Sequence, residues 1–184
     1  VIEDLDRISQ SIQLVLGWSS AVEASGAVLL PVLENEAPIA DSLLLLTAAY
    51  QASRLPQPDL SAIAYRELLA TGQIRLFRDG AVRKALGGYF ADLERAAGFL
   101  TDIPTEYSTA VRRALPIPVQ YGVRQRCGIT ESDLATCKPT TSAEDIRSGV
   151  SHVLGTRELV NGLRHTLHSQ YAIREYMEAQ DSLN

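Results

Sequence analysis

Two histidines three residues apart, His165 and His168, form the first pair in this sequence whose spacing suits chemistry. On a helix that spacing puts both imidazoles on one face, which is how a metal site can begin. A third ligand has to come from elsewhere, such as Glu158 or Asp145, and His152 falls on a different predicted helix. A di-iron bundle needs Glu-x-x-His twice, and no histidine here follows a glutamate by three. The plainer reading is a solvated helix face. A metal-binding or enzymatic bundle using His165 and His168 is therefore kept as an alternative, and no cofactor is expected.

Nucleophilic chemistry has less support. There is no Gly-x-Ser-x-Gly, and Ser148 in Ser-Gly-Val lacks a strand before it. Gly87 and Gly88 lie in a helical pattern, where they suit close packing better than a phosphate loop. Glu34, Glu36, Glu94 and Glu106 are scattered, and nothing pairs them for acid–base work. Cys127 and Cys137 are ten positions apart, which is not Cys-x-x-Cys, with no histidine near in sequence. In a reducing compartment they are two unrelated thiols. In an oxidising one they can close a small loop contributing about 2–3 kcal/mol.

The densest polar segment runs from Tyr65 to Asp79, with Arg83 and Tyr89 beyond it. It packs a helix end, a tight crossing and a new helix start into a short stretch. Glu67 is placed to meet Arg83 or Arg75 across the corner, a pair that orients helices more than it stabilises them. A concave basic surface around Tyr65, Arg75, Arg78 and Arg83 would suit a small anion or a carboxylate.

The elements that position these residues are helical throughout, and no strand pattern persuades. Ile117 to Tyr121 alternates best, but it is short and contains Pro118. The first helix is predicted from the start to about Leu33, on a seam of Leu5, Ile8, Ile12, Val15, Val22 and Leu29, with Pro31 bending or breaking its far end. A second covers Ile39 to about Ser53. Asp59 is the expected N-cap of a third, from Leu60 to about Ala70. Ile74, Leu76 and Phe77 follow as core residues of a crossing. Asp79 caps a fourth helix, to about Leu100, on a stripe of Val82, Leu86, Tyr89, Phe90 and Leu93. A fifth opens at Thr101 or Asp102 and ends before Pro116. Residues 119–141 hold one or two short helices. Ser142 and Asp145 start another helix, and Thr156 caps a last long one carrying Leu159, Val160, Leu163, Leu167, Tyr171 and Met177. The reading is an all-α, irregular helical bundle of about six to eight helices, its first and last helices long and packed near each other. It forms a single domain over 1–184.

Composition agrees. With 46% hydrophobic and 21% charged residues in 184, the chain can bury a core. A net charge of −5 argues against nucleic acid as a partner. No unbroken run of about 18 apolar residues exists, so no segment is expected to span a bilayer. The chain opens on Val1 directly in helical rhythm, which reads as a trimmed start with an unseen segment before it.

The pattern Tyr65-x-Glu67-Leu68, Gly72, Asp79, Arg83, Leu86 and Tyr89 resembles a motif in an uncharacterised bacterial family of single-pass membrane-anchored proteins. Members have a short cytoplasmic start, one transmembrane helix and a helical extracytoplasmic domain. The resemblance covers 1–115, while 116–184 is less recognisable. It implies a membrane anchor upstream of Val1 and a domain on the periplasmic side of that membrane. It also favours a Cys127–Cys137 disulfide. It transfers no activity and no catalytic residue. The leading expectation is a non-enzymatic extracytoplasmic interaction or sensor domain that binds an envelope protein or a small ligand. Its candidate ligand-binding residues are Tyr65, Glu67, Arg75, Arg78, Asp79, Arg83 and Tyr89. A structural dimerisation module, hence a homodimer, is the remaining alternative.

Overall fold

Helix α1 covers Ile2–Leu33 and buries Asp4, Ile8, Ser11, Val15, Trp18, Val22, Ser25 and Leu29, alternating steps of four and three. That is the heptad spacing of a helix keeping one seam toward its neighbours. A computed structural model describes residues 2–101 and 106–181, the Phe99 side chain excepted. Among them are eight α-helices, one 3-10 turn and no strand. After α1 come α2 (Ser42–Ala52), α3 (Ile63–Ala70), the 3-10 turn Gln73–Leu76, α4 (Gly80–Thr101), α5 (Glu106–Ala114), α6 (Ile117–Arg126), α7 (Ala143–Gly155) and α8 (Glu158–Asp181). The all-α bundle with long first and last helices is what the sequence predicts.

Several boundaries differ from the sequence reading, each for a local reason. Pro31 does not stop α1, which continues to Leu33. The second helix starts at Ser42 and not at Ile39, because Asp41 caps it by accepting the N–H groups of Leu43 and Leu44 at 2.8 and 3.0 Å. The alternating stretch at Ile117 is the first turn of α6, where Pro118 lacks only an N–H that the helix leaves unbonded. The Ser142 box is present, with the Asp145 N–H donating to Ser142 at 3.0 Å. The Thr156 hydroxyl points back to the His152 carbonyl at 2.7 Å instead of forward into α8. The expected opening of the fifth helix around Asp102 and Pro104 lies outside the described residues.

By length and composition α1 is apolar enough to cross a membrane, although polar residues break its apolar sequence. In this fold one seam of it is buried against protein. Buried Ser11, Ser19 and Ser25 lie on the helix, and the Trp18 indole N–H donates to the Arg54 carbonyl at 2.7 Å.

The chain sorts into two compact units interleaved in sequence. The first takes the start of α1 through Leu16, the stretch from Gln57 through α4, and the chain from Ile173 on. The second takes Gly17–Pro56 and the chain from α5 through Ala172.

In the second unit α2 is the centre. It is buried from Leu45 to Ala52, and α5, α6 and α7 pack against it. Tyr107 is fully buried, donates to the Ala49 carbonyl at 3.2 Å, and has its phenol pKa pushed up by burial. Part of α1 meets part of α8 here. Arg164 reaches Glu34, and a Cβ on Gly26 would lie 2.6 Å from Leu167, so glycine is needed for the approach. The loop after α6 is held from beneath. Gln51 donates to the Gly128 carbonyl at 2.5 Å, and Arg54 donates to Gln51 Oε1 at 3.2 Å and to the Cys127 carbonyl at 2.8 Å. Cys127 and Cys137 sit at disulfide distance across that loop, Cα atoms 5.2 Å apart.

Helix α8 buries Leu159, Leu163, Thr166, Gln170, Ile173, Met177 and Gln180, again in steps of four and three. Tyr171, carried by this helix as predicted, is 72% exposed because it lies off this seam. Gln170 is fully buried, and neither end of its amide has a hydrogen-bond partner among the described residues. Such a group costs about 1–3 kcal/mol. Gln170→Leu keeps the volume and removes the polar atoms. It is expected to raise the unfolding free energy by about 1 kcal/mol or more in a denaturant titration. A fall would mean that the amide is bonded in solution.

Candidate functional site

The corner singled out by the sequence is built in the first unit on α3, the 3-10 turn and α4. Its foundation was not foreseen. Asp59 does not cap α3. That task falls to Asp4 of α1, whose Oδ2 accepts the Ala64 and Tyr65 N–H groups at 2.9 and 3.3 Å. The carboxyl is therefore buried where Leu5 was expected, and Leu5 is half-buried. Arg7 joins the two segments, donating to Asp4 at 2.8 Å, to Asp59 at 2.5 Å and to the Ser61 carbonyl at 2.7 Å. Ser11 completes the tie, donating to the Asp59 carbonyl at 3.0 Å and accepting the Asp59 N–H at 3.1 Å.

Above this base the predicted residues divide. Tyr65 is buried and stacks on Phe90 with ring centroids 4.1 Å apart, and Tyr89 meets Phe90 edge-on at 5.4 Å. Gly72 turns the chain at φ 72°, a left-handed conformation that favours glycine. Asp79 accepts the Ala81 N–H at 2.7 Å at the start of α4. Arg83 straps the crossing by donating to the Phe77 and Arg78 carbonyls. Neither Arg83 nor Arg75 meets Glu67, which is exposed. The ion pair linking α3 to α4 is Arg66 with Glu94 at 2.9 Å. Tyr65, Asp79, Arg83 and Tyr89 thus have structural partners or packing, while Glu67, Arg75 and Arg78 face solvent.

The apolar residues of the corner are more exposed than the pattern suggests. Leu76 is 78% exposed, Leu69 49% and Val82 42%, and Ile74 and Phe77 are half-buried. The α4 stripe packs through Phe90 and Leu93, but its first residue, Val82, remains uncovered. The crossing expected to feed the core instead forms an open apolar end to the helix pair.

The histidines are not brought into a site. His165 and His168 share the exposed face of α8, and no cluster of three or more metal-binding side chains occurs among the described residues. His152 lies elsewhere in the second unit, in an open cleft of about 560 Å³ with Glu106, Thr109, Arg113, Thr156 and Glu158. A smaller, mainly apolar hollow of about 170 Å³ lies between the end of α1 and the start of α2. Comparison with protein-family models, with curated protein sequences and with solved structures finds no match to this chain.

The base of the corner titrates. The hydroxyl and N–H of Ser61, then Arg7, hold the Asp59 carboxyl down at about 2. A depressed carboxylate contributes stability above its unfolded pKa, near 4, and loses it as pH falls through the folded value. Wild type should therefore exceed Asp59→Asn in stability at neutral pH, with the difference closing between about pH 4 and pH 2. Because Asp59 is exposed, the difference is small. Chemical denaturation across that range measures it. A difference constant with pH would remove Asp59 from the foundation.

Proposed function

We propose that this chain is a non-enzymatic interaction or sensor domain, displayed outside the cytoplasm by a membrane-anchored bacterial protein. The observation that carries the reading is the open corner of the first unit. Leu69, Leu76 and Val82 are exposed there beside Arg75, Arg78 and Lys84, which have no ion-pair partner among the described residues. Apolar side chains in water cost free energy, and a group of them among unpaired cations suits a surface that meets a partner. The extracytoplasmic setting draws support from the cysteine pair, since a closed disulfide persists in an oxidising compartment. The sequence motif around Tyr65 and Gly72 points the same way through its resemblance to anchored proteins.

A photo-reactive diazirine residue tests the corner in living cells. Placed at position 76 it should give adducts well above those from position 171, which is equally open on α8. Equal labelling at the two positions would sink the reading. Location has a separate check. Protein recovered without reductant should leave both cysteines unreactive to maleimide until reductant is added, whereas immediate labelling of both would place the chain in a reducing compartment.

A further inference from the structure

The corner has a chemistry that selects among partners. Within 66–84 stand Arg66, Arg75, Arg78, Arg83 and Lys84 against Glu67 and Asp79, a net charge of +3 in a chain of −5. Two of these cations are committed, Arg66 to Glu94 and Arg83 to backbone carbonyls. Arg75, Arg78 and Lys84 are exposed and unpaired among the described residues. The apolar members flank a chain reversal: Leu69 ends α3, Leu76 lies in the 3-10 turn and Val82 opens α4.

We propose that this corner docks on the surface of an anionic lipid bilayer, with Leu76 entering the acyl boundary and Arg75, Arg78 and Lys84 at the headgroups. The inference rests on the interaction reading above and names its partner. A symmetric pairing of two copies through the same corner sets these three cations against their own duplicates, which disfavours the second copy. A folded protein partner needs carboxylates and hollows in fixed register with a turn. An anionic bilayer supplies negative charge and an apolar layer with no register, and the long cationic side chains can keep their heads in the polar zone while their stems lie along apolar surface.

Sedimentation of the purified chain with vesicles tests this. It should pellet with vesicles of phosphatidylglycerol and phosphatidylcholine in equal parts, and bind phosphatidylcholine alone about tenfold more weakly or worse. The double variant Arg75→Glu with Arg78→Glu should lose about tenfold or more in affinity for the anionic vesicles. Leu76→Ser, at a position too exposed to threaten the fold, should lose about fivefold or more. Leu76→Trp should add an emission component that shifts to the blue on vesicle addition, with Trp18 of the wild type as the baseline. A wild-type chain left in solution with anionic vesicles overturns the proposal. So does Leu76→Ser binding as wild type does, or an unshifted Leu76→Trp spectrum. A protein adduct at position 76 without vesicle binding leaves the interaction reading standing and removes the lipid. A dimer in light scattering that Leu76→Ser dissociates does the same. Neither adduct nor vesicle binding removes both.

Discussion

The Arg7 guanidinium lies between two carboxylates from distant parts of the chain, and the first unit is organised around that placement. Asp4 is buried, and its Oδ2 accepts the opening N–H groups of α3. A buried carboxylate is tolerable only with donors around it, and these backbone groups and Arg7 provide them. Arg7 also holds Asp59, which orders the approach to α3 through Ser61 and Ser11. One cation thereby fixes where α3 begins. The start of α3 fixes where Tyr65 stacks on Phe90, and that stack aligns α4. The corner between these helices is open because its support ends at the aromatic layer.

The second unit solves a different problem with related means. The loop after α6 brings carbonyls over the buried α2, where water is scarce. Gln51 and Arg54 meet them from α2 and just beyond it, and the Arg54 carbonyl in turn accepts from Trp18. Burial lowers the Arg54 pKa, the negative charge of an ionised Tyr50 phenol partly offsets this, and the Arg124 charge adds to it. An arginine that donates to neutral acceptors is structural glue, and the Cys127–Cys137 closure acts on the loop that it grips.

Much of the helical order was legible because apolar residues at helical spacing identify the long helices. The true seams were harder to see. Both α1 and α8 fill heptad positions with polar side chains, Asp4, Ser11 and Ser25 on one and Thr166, Gln170 and Gln180 on the other. An apolar pattern therefore drifts to Leu5 or Tyr171. The site was legible as a location but not as an arrangement. Gly72, Asp79 and Arg83 stand out through turn and cap chemistry that is local in sequence. The cap on α3 crosses 60 positions from Asp4, and no local rule reaches that far.

The same distance explains which charges remain for function. Where a cation has a structural task, its partner is fixed by the fold: Arg7 serves two carboxylates, Arg66 one, and Arg83 two carbonyls. Arg75, Arg78 and Lys84 have none of these tasks, yet they concentrate where apolar side chains are also uncovered. Cations outnumber carboxylates there five to two, and solubility alone would keep leucine away. On the proposed reading, a corner that keeps Leu76 in water beside three unpaired cations suits an external negative, apolar surface.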